Sequence, residues 1–178
     1  MLFQKFKILF YFLAVTLLVS LQVASAENFS LATVKDNGAV CNNGKVANYW
    51  IADQNSDKWL VRLPGGGAAW DADTYKKREN SKKQPLKGNR MSVSEVAIAS
   101  QFYDLGYNVI YLHYCSSDLY AGNHTNKISG KTVQFRGRKI VTSILKEHAE
   151  AFREASDVVF AGTSAGVYGI MLNLDLIS

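Results

Sequence analysis

Apolar positions along the chain follow two rhythms. Three runs are nearly continuous: KWLVRL (Lys58–Leu63), NVIYLHY (Asn108–Tyr114) and DVVFAG (Asp157–Gly162). Short unbroken apolar runs bounded by turn residues read as strands, and the second is of the kind covered on both faces. Elsewhere the spacing is helical. In SVSEVAIASQFYDLGY, Val96, Ala99 and Phe102 share one side, Ser92 or Ser94 stands where a cap belongs, and Gly106 stands at the end. GRKIVTSILKEHAEAFREA, ending at Ala155, sets Ile140, Ile144, Leu145 and Phe152 on one face and its charges on the other. A last helix begins after Ser164, in SAGVYGIMLNLDLI. CNNGKVANYWIAD reads as a turn and a strand. The basic stretch after Trp70 and the segment Ser116–Gly130 read as irregular loops.

Strand and helix alternate as in parallel βαβ units with right-handed crossovers, which predicts a single α/β domain. Residues 1–26 stand outside it. A start with Lys5, Lys7 and no acid, an uncharged run Ile8–Val23 and the small residues before Glu27 predict a signal peptide cleaved after Ala26. The alternative is an uncleaved anchor, but the apolar run falls short of the ~20 residues a spanning helix needs. Residues 27–178 form the mature domain, with no membrane contact expected after cleavage.

The 178-residue chain carries a formal charge of +5. Without Lys5 and Lys7 the excess falls to +3, too small to mark a nucleic-acid binder. It is concentrated in Tyr75–Arg90, where seven basic residues face one acid. Such a run reads as a solvated loop, or as a landing strip at Lys76–Arg90 for an anionic glycan. Two cysteines, Cys41 and Cys115, in an exported chain favour a disulfide, worth about 4 kcal/mol for so long a loop. Asn28 and Asn123 begin sequons that matter in a glycosylating host. No His, Cys or Asp cluster has metal-ligand spacing, so neither metal nor cofactor is expected.

The chemistry sits in Gly162-Thr163-Ser164-Ala165-Gly166, between a β-branched strand and an apolar helix. That context reads as a nucleophile elbow with Ser164 at the corner, and a structural turn is the bland alternative. The helix starting at Ala165 offers a free N–H to an oxyanion. LPGGGAAW, after the KWLVRL strand, reads as the second donor loop, with Gly66 and Gly67 as candidates, or else as a flexible linker. A base is harder to place. His113, His124 and His148 all precede Ser164, against the order Ser, acid, His expected of this arrangement. His148, between charged neighbours, reads as solvent-exposed, His113 as a buried histidine ending a strand, and His124 as a loop residue. Asp175 lies about 16 Å from Ser164 by helix rise and is out of reach as the acid.

YCSSDLYAG (Tyr114–Gly122), FRGRKI (Phe135–Ile140) and GTSAGVYGIMLNLD (Gly162–Asp175) resemble the pectin acetylesterase and Notum family of secreted carboxylester hydrolases. CNNG at Cys41, WLVRLPGGG and NVIYLHYC fall in the same order. YCSSD and LNLD look closer to the Notum side. The chain departs from the pattern at Pro64, where an acid is usual, at Ala68, and at Val167, where a glycine is usual. The resemblance implies an α/β-hydrolase fold with a mostly parallel sheet, a serine nucleophile at Ser164, oxyanion amides near Gly66 and Gly67, and a Cys41–Cys115 disulfide. It also implies that the acid and histidine lie in a C-terminal half, so this chain is expected to be truncated after the nucleophile helix.

The expected activity is removal of O-acyl groups, foremost O-acetyl, from pectin or a related polysaccharide, by a secreted (in a bacterium, periplasmic) serine carboxylesterase. Alternatives are a Notum-like deacylase of a lipid-modified protein and a catalytically incomplete product lacking the triad Asp and His.

Overall fold

The computed structural model describes residues 28–80 and 91–177. The expected signal peptide and the second part of the basic run lie outside the described residues.

A five-stranded mixed sheet forms the centre, in the order β1 (Ser30–Thr33), β2 (Asn48–Ala52), β4 (Asn108–Leu112), β3 (Lys58–Leu63), β7 (Asp157–Gly162). The three runs read as strands from the sequence are the parallel part, with Leu60 aligned on Val109 of β4 and on Val159 of β7. β1 and β2 add antiparallel strands at the far side. All of β4 is buried, which explains its unbroken apolar sequence.

The pleat sorts side chains of β3 between two layers. Trp59, Val61 and Leu63 join Ile110, Leu112 and the helix residues Ile140, Val141 and Ile144 in the larger core. Leu60 joins Val109, Ala99 and Phe102 in the smaller one. The second core belongs to α2 (Val93–Asp104), whose N-cap Ser92 accepts from the Glu95 N–H at 3.3 Å. The first belongs to α3 (Gly137–Glu147) and α4 (Ala149–Glu154).

The sequence reading needs correction in four places. The basic stretch is not all loop. α1 (Ala72–Glu79) opens with a reciprocal capping box between Asp71 and Thr74 and turns Arg78 inward, so this residue leaves the basic strip proposed for an anionic glycan. Lys76 and Lys77 stay exposed. Ser116–Gly130 is not all loop either. β5 (His124–Ile128) and β6 (Lys131–Phe135) form a hairpin whose turn residues Ser129 and Gly130 both have positive φ, of 49° and 76°. The long amphipathic helix breaks at His148 into α3 and α4. His148 is half-buried rather than solvated, 3.1 Å from the Tyr49 hydroxyl and beside the Trp59 and Phe152 rings. Finally, the terminal helix divides at buried Asn173 into α5 (Ala165–Leu172) and α6 (Leu174–Ile177), because the Asn173 amide donates to Tyr120 and Gly169 carbonyls.

Candidate active site

Ser164 occupies the corner between β7 and α5, exposed to solvent, with φ 48° and ψ −116°. A non-glycine residue is held in such a backbone conformation only where its surroundings dictate it, at a cost of about 1–3 kcal/mol. Those surroundings are explicit. A β-carbon on Gly166 would fall 1.9 Å from the Leu63 carbonyl oxygen, and one on Gly162 would fall 2.5 Å from the Gly166 carbonyl carbon. Strand, elbow and helix therefore meet with room only for glycine at both ends of the motif. The Thr163 N–H donates to the Leu63 carbonyl at 3.2 Å, and the Gly166 N–H to the Thr163 carbonyl at 2.8 Å, closing the turn. Ala165, buried, begins α5 and places the helix's positive end beside the serine.

The triple-glycine segment runs directly alongside. A β-carbon on Gly65 would lie 2.9 Å from Ser164 Cβ and 2.9 Å from the Thr163 carbonyl oxygen. One on Gly66 would lie 2.7 Å from the Tyr114 ring. Gly67 has φ of 76°. Gly66, Gly67 and Ala165, the three candidate oxyanion donors, thus belong to two segments in contact at the serine.

Two tyrosines of the YCSSDLY segment hold the glycine loop from below. Tyr120 donates its hydroxyl to the Pro64 carbonyl at 3.0 Å, and Tyr114 donates to the Gly67 carbonyl at 2.8 Å while accepting from the Leu119 N–H. Their rings stack at 4.4 Å. Burial pushes both phenols well above the ordinary value, so both stay protonated donors. The Arg78 guanidinium lies 4.9 Å over the Tyr114 ring and donates to the Ser117 hydroxyl and the Tyr114 carbonyl.

That segment is fixed in turn. The Cys41–Cys115 disulfide is formed, with 4.9 Å between Cα atoms. Asn42 donates to the Ser116 carbonyl at 2.7 Å and accepts from the Ser117 hydroxyl at 2.6 Å. Asp118 accepts from the Ser116 hydroxyl and from the Tyr120 and Gly137 N–H groups, tying the segment to the start of α3. Burial raises the Asp118 carboxyl pKa despite these bonds. Tyr114, Tyr120 and Asp118 lie within the resemblance, yet no local sequence signal assigns them these tasks.

The remaining candidates lie elsewhere. His113 is buried beyond the end of β4, His124 stacks on Phe135 at 5.1 Å, and His148 faces Tyr49. Asp175 pairs with Arg138, which holds its carboxyl below the ordinary value. Asn28 and Asn123 are exposed, and the Asn123 side-chain oxygen accepts from Arg136 at 2.9 Å. Among the described residues no group of three or more His, Cys, Asp or Glu is placed to hold a metal ion.

A cleft of about 470 Å³ opens between the end of the glycine loop and the β5–β6 hairpin, lined by Trp70, Asp71, Asp118, His124, Lys127 and Phe135 among others. The Trp70 indole is 76% exposed.

The family model for pectinacetylesterase matches residues 22–178. The chain is 31% identical over 151 residues to a palmitoleoyl-protein carboxylesterase NOTUM of Schmidtea mediterranea, covering 76% of this chain and 28% of that protein. It is 26% identical over 172 residues to palmitoleoyl-protein carboxylesterase notum2 of Xenopus laevis (92% and 35%) and 25% identical over 161 residues to the human NOTUM enzyme (85% and 32%). The chain thus spans about a third of the length of the curated relatives it matches. A strained, exposed serine at a glycine-bounded corner, a glycine loop against it and a family model matched from residue 22 onward agree, and the chain belongs to the pectinacetylesterase family.

Proposed function

We propose that residues 27–178 are the nucleophile-bearing portion of a secreted serine carboxylesterase. Ser164 Oγ attacks the acyl carbon of an ester, its proton passes to the base and then to the departing alcohol, and an acyl-serine is left. The Ala165 N–H and the N–H groups of Gly66 and Gly67 receive the oxyanion, and water then releases the acyl group. His113, His124 and His148 lie away from Ser164, so the base and its orienting acid are assigned to sequence of the kind that makes up the rest of the relatives' length. The observation that carries this reading is the exposed Ser164 in its strained corner, with Gly65 pressed against it.

For the substrate we favour an acylated polysaccharide. An exposed indole beside a cleft lined by two carboxylates, a lysine and an imidazole suits a sugar chain, whose ring faces stack and whose hydroxyls take both donors and acceptors. Exposed Lys76 and Lys77 favour an anionic glycan such as a polyuronide. The second reading, a deacylase of a lipid-modified protein, rests on the matched relatives being named palmitoleoyl-protein carboxylesterases. Export is supported by the disulfide, which persists in oxidising compartments; Asn28 and Asn123 are then open to glycosylation in a host that performs it.

The full-length gene product should hydrolyse p-nitrophenyl acetate, and Ser164→Ala should lower that rate by about 10³-fold or more. Wild-type rates in that variant would reject the nucleophile assignment. Acetate release from acetylated pectin, set against fatty-acid release from a lipidated peptide, separates the two substrates.

A further inference from the structure

On the α2 side of the sheet, behind the elbow, Arg62 lies in β3, between β4 and β7, with 2% of its side chain exposed. A guanidinium there is costly unless paired, and Glu95 from the first turn of α2 pairs with it at 3.0 Å. The fork reaches further. Arg62 Nη1 donates to the Leu63 carbonyl at 3.2 Å, and Nη2 also donates to the Thr163 hydroxyl at 3.0 Å. Thr163 in turn donates to Glu95 Oε1 at 3.3 Å. The same Leu63 carbonyl accepts the Thr163 N–H, and it is the atom against which Gly166 is packed. One planar cation therefore links the root of the glycine loop to the residue immediately before Ser164.

Stability alone is a poor account of this cluster. A buried ion pair is often no better than an apolar replacement of the same volume. This pair is also incompletely satisfied, since Arg62 Nε and Glu95 Oε2 are buried without a hydrogen-bond partner among the described residues. What the cluster adds to the β3–β7 ladder is a side-chain tie between Leu63 and Thr163, where the two strands end. The two segments that must present the nucleophile and the oxyanion donors come from strands paired side by side, and neither strand's own hydrogen bonds set the Thr163 side chain.

We infer that Arg62, Glu95 and Thr163 form a positioning network that sets the elbow against the glycine loop, and so sets the reach from Ser164 Oγ to the oxyanion N–H groups. The inference rests on the ester-hydrolysis reading. Thr163 sits on the exposed side of the corner, so Thr163→Val removes its hydroxyl bonds with little change of shape.

The test uses the full-length gene product, with p-nitrophenyl acetate kinetics, the rate of Ser164 labelling by a fluorophosphonate, and thermal melting. Thr163→Val should lower kcat and the labelling rate by about 10-fold while KM stays within about two-fold, the signature of a misplaced reacting group. Thr163→Ser, which keeps the hydroxyl, should restore both. Arg62→Lys keeps a positive charge but not the planar fork, and should lower kcat to a similar degree. Combining it with Thr163→Val should add little, because both changes open the same link. Unchanged kcat and labelling in Thr163→Val, with or without a lower melting temperature, would overturn the proposal. Failure of the parent reading has a separate mark, wild-type hydrolysis in Ser164→Ala.

Discussion

At Gly166 a β-carbon would fall 1.9 Å from the Leu63 carbonyl oxygen, whereas at Gly67 the nearest atom is Arg78 Cδ at 3.9 Å. The first glycine is demanded by packing, the second by a φ of 76°. The elbow is thus an over-determined corner, welded between a strand and a helix that leave no space. The glycine loop beside it is packed at Gly65 and Gly66, but its two ends, the Pro64 and Gly67 carbonyls, are held by hydroxyls, from Tyr120 and Tyr114. The contrast separates two modes of support in one site: the corner that holds Ser164 and Ala165 is closed sterically, and the loop with the candidate donors Gly66 and Gly67 is tied by hydroxyls that a single atom's removal would release.

Substitutions can break this contrast at graded strengths. Gly166→Ala should be the most damaging, since the clash is with backbone on a central strand. A loss of about 3 kcal/mol or more is expected, read as a collapsed urea midpoint or failed secretion. Tyr120→Phe keeps the ring and strands a buried Pro64 carbonyl, costing about 1–3 kcal/mol. It should also lower kcat, where a wholly rigid loop would leave kcat unchanged. Gly67→Ala meets only an ordinary contact with Arg78 Cδ and should cost about 1 kcal/mol through φ. If it proved as harmful as Gly166→Ala, the division into packed and tethered glycines would be wrong.

The smallest effect lies away from both segments and serves as a control. Burial is the main cause that lowers the His148 pKa from 6.5; Lys35 lowers it further, and Glu147 and Asp53 oppose. The fold therefore favours the neutral ring. The stability this confers is present in full above pH 6.5 and is lost as pH falls through the lower folded value. Melting temperature should decline between pH 7 and pH 5, less so in His148→Gln, while the rate of hydrolysis by either form at pH 7 should be alike.

How much of this was legible depended on whether the cause was local. β3, β4 and β7 were readable because burial on both faces leaves an apolar run that no loop would carry. The elbow was readable because the residues it requires, two glycines around the corner serine, stand within five consecutive positions, even though Gly166 is packed against Leu63 of another strand. β1 and the β5–β6 hairpin were not, since most of their side chains face solvent and only Val133 and Phe135 of the hairpin are buried. The break at His148 escaped periodicity because both halves, α3 and α4, keep facing the same core. Arg62 was invisible for a different reason. Nothing in KWLVRL marks a strand arginine as interior, and its partners Glu95 and Thr163 come from a separate helix and from the turn after β7. Tyr114 and Tyr120 likewise act on carbonyls about fifty positions away in sequence.

The bridge between Cys41 and Cys115 ends one residue from Tyr114, and so one hydroxyl from the carbonyl of Gly67. Polypeptide made in a thiol-rich cytosol would keep its corner serine while its anchor for the neighbouring amides went slack. Material of that kind would look native by circular dichroism and still turn over slowly, and adding an oxidant, with no refolding step, should bring its speed back.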